Sequence, residues 1–522
     1  MRKISIILSI LLMSWAVQAQ MLEIPLANYA QRAITLQTDT LGSPVHFGIR
    51  PLLAQQVSGS QWYQENWRRD YWKDRHMIDF FKKEKPHQLF IQPLVGAWAG
   101  VESGDKYDVF SGGELGLRAT FISGKKFEIQ VNTIQNAATY PLKVDEYITD
   151  TKKVPSQAYA NRDPQLGYTF NNFSGYIGYV PSKHIRMQLG HGKNFWGEGY
   201  RSLILSDFAQ NYDYFKMVTS FWKINYVNLF TRFKDISEDP TKPQNASAKY
   251  GTFHMLSINL GKRWNLAAFE SVIWQSQDSL VQRGFDMNYL NPVIYYRPVE
   301  WSIGSPDNVL LGAQTSFRAS DEIKFYGQIM IDEFVFQELT QESGSWRNKY
   351  AYQAGVKWYN AFGVKNLGSL LEGNWIRPYM YSHSDVRTNY GHFNEPLAHP
   401  GGANLKEFVN IWWWNYQRFY GEAKFIYKLQ GLDNDTSNYG ADIYKPYTTR
   451  SVEDDSFIGQ GEQLKQFSLR FRASYMIEPK ARLNTFIQYA YTYSKPMSGA
   501  ASNNYFITFG VETALFNRYF DF

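Results

Sequence analysis

The stretch Gly192-Lys193-Asn194-Phe195-Trp196-Gly197-Glu198-Gly199-Tyr200-Arg201-Ser202 runs on to Ser206 and Asp207 and gathers glycines, basic residues and carboxylates within a few turns of chain. Glycines that cradle a phosphate need a Walker spacing or a strand-to-helix unit around them, and neither is present. A serine nucleophile needs a base within hydrogen-bond reach, and Ser206 beside Asp207 has no sequence-assignable histidine. The stretch therefore predicts no enzyme activity, no catalytic residue and no cofactor. Its structural reading is a tight turn at Gly197 and Gly199, with Trp196 packed inside the protein or set in an interfacial belt.

Three other stretches hold reactive side chains. Residues 290–308, LNPVIYYRPVEWSIGSPDN, place Arg297, Glu300, Asp307 and Asn308 beside Tyr295, Tyr296 and Trp301. Pro292, Pro298 and Pro306 interrupt any long strand there, so a loop or an inward-folded segment is expected, with Arg297 and Glu300 free to pair with each other. His392, Glu395 and His399, with His383 and Asp385 upstream, are metal-capable but lack the fixed spacing of a zinc motif, and a loop braced by Pro396 and Pro400 is expected instead. Residues 433–440, DNDTSNYG, alternate oxygen donors as a calcium loop does. Asn438 and Tyr444 stand where such a loop needs glycine and glutamate, so an external loop is expected.

The elements that position these groups have a period of two. Phe467, Leu469, Phe471, Ala473 and Tyr475 alternate with Ser468, Arg470, Arg472 and Ser474; Phe127, Ile129 and Val131 alternate with Glu128, Gln130 and Asn132. One face is apolar and the other wet. A soluble sandwich would bury the apolar faces against each other, whereas a membrane barrel turns them to lipid and the polar face to the lumen. Segments such as Gln466–Met476, Leu483–Ser494 and Gly251–Gly261 have the length of tilted membrane strands, and a watery lumen solvates Arg470 and Arg472. The pattern predicts an all-β fold, a transmembrane antiparallel β-barrel of about 18 strands over residues 87–522. In Trp412-Trp413-Trp414 the outer two share a face, and one face is expected in the aromatic girdle.

Composition agrees. Aromatic residues make up 17% of the chain and charged residues 20%, cysteine is absent, and no apolar run after the start is long enough for a membrane helix. A net charge of +6 spread over 522 residues, without a basic block, argues against a nucleic-acid partner. Residues 1–19 have the basic start, apolar core and Val17-Gln18-Ala19 ending of a signal peptide. Residues 20–86 predict a short N-terminal extended and helical element, periplasmic or at the barrel mouth, with amphipathic helix from Trp67 to Phe81. The chain ends Phe516-Asn517-Arg518-Tyr519-Phe520-Asp521-Phe522, and a terminal aromatic resembles the ending of outer-membrane barrels.

The block from Gly192 to Asp207 resembles the G-x-x-x-F-W-G-x-G-x-x-S-L-x-L-S block of the Wzi family of capsule-assembly outer-membrane proteins. Residues 290–308 and 394–408 (NEPLAHPGGANLKEF) are similar to the Bacteroidetes branch of that family, with its RemB-like gliding-motility proteins. The resemblance implies an outer-membrane location in a Gram-negative bacterium, contact with outer-membrane lipid, and a lectin-like role holding surface polysaccharide. The alternative it implies is an accessory component of gliding or type 9 secretion machinery, with those proteins as partners. Sugar rings stack on aromatic faces and their hydroxyls bond to polar side chains. On that basis Lys193, Asn194, Trp196, Glu198, Tyr200, Arg201, Arg297, Glu300, Trp301 and Asp307 are the candidate glycan-binding residues.

Overall fold

The computed structural model describes residues 23–57, 78–79, 87–103, 107–235, 246–276, 284–292, 307–335, 337–338, 344–478, 482–513 and 516–521. Eighteen antiparallel strands close into a barrel. They are β1 His87–Ser103, β2 Tyr107–Ser123, β3 Phe127–Ala138, β4 Gly167–Ser182, β5 Ile185–Gly192, β6 Tyr212–Phe221, β7 Ile224–Lys234, β8 Ala248–Leu260 and β9 Trp264–Gln275. The second half comprises β10 Asn308–Arg318, β11 Ile323–Glu333, β12 Lys349–Tyr359, β13 Leu367–Ile376, β14 Leu405–Tyr416, β15 Phe419–Leu432, β16 Glu462–Glu478, β17 Leu483–Pro496 and β18 Ser502–Thr513. Each strand pairs with its sequence neighbour, and β18 returns to β1 with Tyr505 opposite Ser103. Closure leaves no edge strand unpaired.

The alternation read from sequence sets the two faces. Phe471 is 45% exposed on the outside, while Arg470 and Arg472 between the same strands point into the lumen. Leu115, Ile177, Leu189, Phe325 and Phe509 continue the apolar exterior. Short turns such as 183–184 and 222–223 close one end, and long loops close the other. Exposed Trp222, Trp264, Phe362, Tyr416 and Phe419 ring the short-turn end as an aromatic girdle. Trp412 stacks on Phe362 and Trp414 on Tyr416 in that girdle, whereas Trp413 turns inward and is 2% exposed.

The described N-terminal segment from Glu23 and the described C-terminal segment 516–521 enter the lumen. Helix α1, Asn28–Thr38, lies inside, and Arg32 pairs with Glu422 on β15. The helix expected from Trp67 to Phe81 lies almost wholly outside the described residues; of it only Ile78–Asp79 is described, as a short strand against Phe90 and Ile91. The last barrel strand stops at Thr513, and residues 516–521 fold inward instead of ending the wall. The cause is polar: Arg518 pairs with Glu114 and Asp521 with Lys424, partners that only the lumen offers.

Candidate functional site

The loop 193–211 between β5 and β6 turns into the lumen instead of away from the membrane. Phe195 and Trp196 pair antiparallel with Arg50 and Ile49 of the N-terminal segment, and the Trp196 amide donates to the Leu205 carbonyl at 2.8 Å. The indole of Trp196 is fully buried, edge-on to Phe253 and Phe269 at ring distances of 6.4 and 5.9 Å. The glycines serve close approach. A Cβ on Gly199 would lie 2.0 Å from a Glu372 carboxylate oxygen, and one on Gly197 would crowd Phe195, Gln328 and Ser202.

The charged members of the stretch are spent on the barrel wall and on neighbouring inward-folded segments. Glu198 accepts from Lys324 at 2.7 Å and Lys357 at 2.8 Å, and Lys324 also binds Asp39 of the N-terminal segment at 3.0 Å. Burial alone would push the Glu198 carboxyl up, but the two ammonium groups hold it well below the usual carboxylate range. Arg201 makes a forked contact with Glu407 on β14, at 3.1 and 3.0 Å, and reaches Asp521 at 3.4 Å. Glu372 on β13 accepts the amides of Tyr200 and Arg201 at 2.9 and 3.1 Å. Tyr200 donates to Asp521 at 2.6 Å, and Lys424 reaches the same carboxylate at 2.5 Å.

Lys193 donates to the Asp207 carbonyl and the Ser156 hydroxyl, both at 2.9 Å, and Asn194 accepts from Lys216 at 3.1 Å. The Ser206 hydroxyl donates to the Ala398 carbonyl at 2.5 Å, while Asp207 accepts from Tyr519 at 2.5 Å, so this pair braces two segments. Thus Lys193, Asn194, Trp196, Glu198, Tyr200 and Arg201 are brought together, but as an internal keystone joining the described N-terminal and C-terminal segments to the wall. Trp196 and Arg201 are at most 1% exposed, and no face of either meets solvent. Arg297, Glu300 and Trp301 lie outside the described residues. Asp307 is buried and accepts from Tyr289 at 2.6 Å, which packs on Trp274 and pins the described part of that loop outside β9.

The long loops interlock above the keystone. Tyr381 and Tyr390 donate to the Leu203 and Ile204 carbonyls at 2.8 and 2.5 Å. Tyr379 reaches the Asn438 carbonyl at 2.8 Å, and Arg377 ties residues 345 and 456 together at 3.1 and 3.2 Å. His392 accepts the Lys234 amide, and burial lowers its pKa from 6.5 to about 3. His399 pairs with Glu407 at 2.9 Å, and Glu395 accepts the Ser156 amide at 2.8 Å, so the candidate metal residues face separate partners. Among the described residues no cluster of three such side chains is placed to hold a metal ion. In 433–440 the Asp433 carboxylate caps the amides of Tyr439 and Asp442 at 2.5 and 2.9 Å. What this cap exposes is a mixed surface: Phe457 is 59% exposed, and the side chains of Arg347 and Arg387 are 54% and 47% exposed.

Sequence reasoning passed over the wall partners Lys324, Lys357, Glu372 and Glu407. Each is a charged residue in the inward phase of a strand, a signal visible in the alternation but unassignable without knowing what entered the lumen.

Barrel, keystone and loop cap define a closed eighteen-stranded barrel of the outer-membrane type with an internally braced lumen. Its fold is similar to that of Wzi of Escherichia coli, described as an outer-membrane protein involved in group 1 capsule assembly and a carbohydrate-binding β-barrel. The TM-score is 0.58 at 12% identity, covering 95% of this chain and 100% of that one. OprD and OpdK of Pseudomonas aeruginosa are also matched, over 81% of this chain and 94% and 98% of theirs, with TM-scores of 0.43 and 0.45 at 9% and 8% identity. No protein-family model and no curated protein matches the chain.

Proposed function

We propose that the protein is a non-enzymatic outer-membrane barrel that binds surface polysaccharide on its loop cap and helps to assemble or retain it. The observation that carries the reading is the bracing itself: a lumen cross-tied by Glu198, Arg201 and Asp521 supports a rigid outer surface, the arrangement a lectin-like platform needs. The likeness in fold to a carbohydrate-binding capsule-assembly barrel adds support, as does the family block at 192–207, whose residues act here by holding the loops. On this reading the sugar contacts lie on the cap, where Phe457 offers a stacking face and Arg347 and Arg387, paired with Glu338 and Asp385, offer their remaining N–H groups, and the described keystone residues 193–201 position them. Placement in the Bacteroidetes branch rests on residues 290–308 and 394–408 alone.

The test is binding of isolated surface polysaccharide from the source bacterium to the purified barrel. Phe457→Ala combined with Arg347→Ala and Arg387→Ala is expected to weaken binding at least about tenfold, without lowering the unfolding midpoint. Unchanged affinity in the triple variant would reject the cap as the site.

A further inference from the structure

The keystone fills one side of the lumen and leaves a cavity of ≈ 200 Å³ along the other, between β1, β2, β16, β17, β18 and residues 516–520. Its apolar lining is chiefly aromatic: Trp98 and Phe486, each with one face under a guanidinium (Arg518 and Arg472), and Phe110 and Phe506, edge-to-face at 5.6 Å. Between the rings stand neutral hydrogen-bonding groups, among them Asn136, Gln488 and Thr508. Rings interspersed with amides and hydroxyls suit a sugar ring, which has apolar faces and a polar rim, and do not suit an acyl chain.

The charges single out the missing partner. Lys424 is matched by Asp521 at 2.5 Å, Arg472 by Glu512 at 2.5 Å, and Arg518 by Glu114. Arg470 lines the same cavity, is only 9% exposed, and makes no hydrogen bond or ion pair among the described residues; its Nε is buried and unpartnered. It stands opposite Lys424 in the β15–β16 register, so a like charge is its cross-strand neighbour. A guanidinium held this way is costly unless an anion or water meets it. Glu422 also lines the cavity, but its carboxylate is taken by Arg32 of α1, so among the described lining cations Arg470 alone has no paired carboxylate.

We propose that this cavity is a binding site for an acidic sugar residue, with its carboxylate seated on Arg470 and its ring held among the aromatic side chains. The assignment rests on the polysaccharide reading for its choice of ligand class, but it concerns a site inside the barrel and separate from the cap.

The experiment uses the full-length protein in detergent micelles, titrated with sodium glucuronate, glucose and inorganic phosphate and followed by ligand-observed NMR. Glucuronate is expected to bind at least about tenfold more tightly than either glucose or phosphate. Arg470→Gln should bring glucuronate down to the level of glucose and leave glucose unchanged. Phe506→Leu, which stays apolar and removes the ring, should weaken both sugars alike, and gel mobility of the unheated barrel reports folding of each variant. Equal affinity of the wild type for glucuronate and glucose, a preference for phosphate, or an undiminished glucuronate preference in Arg470→Gln would overturn the proposal. The two readings fail separately. Loss of the glucuronate preference with polysaccharide still bound by the cap removes only the cavity site, whereas an Arg470-dependent preference in a barrel that ignores polysaccharide removes only the cap.

Discussion

Arg201→Ala strips the centre from the keystone. The side chain is 1% exposed and makes two bonds to Glu407, an ion pair with Asp521 at 3.4 Å and a bond to the Asp521 carbonyl at 2.9 Å. At about 1.5–3 kcal/mol for each hydrogen bond to a charged group, the gross loss is large. Part is recovered, because Glu407 keeps His399 at 2.9 Å and Asp521 keeps Lys424 at 2.5 Å and Tyr200 at 2.6 Å. The expected net loss is therefore the about 3–5 kcal/mol typical of breaking a buried pair and stranding its partner. Equilibrium urea unfolding in lipid vesicles, followed by tryptophan emission, reads this as a lower midpoint at unchanged slope. Arg201→Met with Glu407→Leu removes both charges and should recover at least half of the loss. A single variant within about 1 kcal/mol of wild type, or a double variant no better than the single, would refute the keystone.

Gly199→Ala should cost about 1–3 kcal/mol by overpacking, since its methyl would meet Glu372, which is already held by two amides and Tyr326; Gly421→Ala, with open space around its Cβ, is the neutral control by the same unfolding assay. His392, lowered from 6.5 to about 3 by burial, leaves the unfolded chain binding more protons than the folded one below about pH 6.5, so stability is full above that pH and falls as the medium acidifies. The loss at pH 5 should be about 2 kcal/mol, and His392→Gln should flatten the difference between unfolding midpoints at pH 7 and pH 5. Because the described N-terminal segment, residues 516–521 and the 193–211 loop occupy the lumen, planar-bilayer recordings should show no stable large-conductance pore; a steady ohmic pore would contradict the obstructed lumen.

The wall was legible in the sequence because its cause is local. A strand between lipid and lumen must alternate, and Phe467–Tyr475 states its own orientation through Arg470 and Arg472. The keystone was legible only as composition. Trp196, Glu198 and Arg201 show a cluster of aromatic and charged groups, but whether they meet sugar or wall depends on contacts far along the chain, to Glu407 and Asp521 in the case of Arg201. The inward turn of residues 516–521 was illegible for the same reason: Arg518 and Asp521 find Glu114 and Lys424 only once the barrel has closed. Trp412 to Trp414 lie between these cases, since alternation assigned their faces and the neighbouring turn fixed their height.

In the proposed function a braced barrel presents its loop cap to surface polysaccharide. Equilibrium binding of the isolated polysaccharide to the purified wild-type barrel in lipid nanodiscs measures it most directly. Saturable binding is expected, and the Phe457, Arg347 and Arg387 triple variant should lose it while the barrel stays folded. No binding by the folded wild type, together with a normal polysaccharide layer on cells that lack the protein, would contradict it.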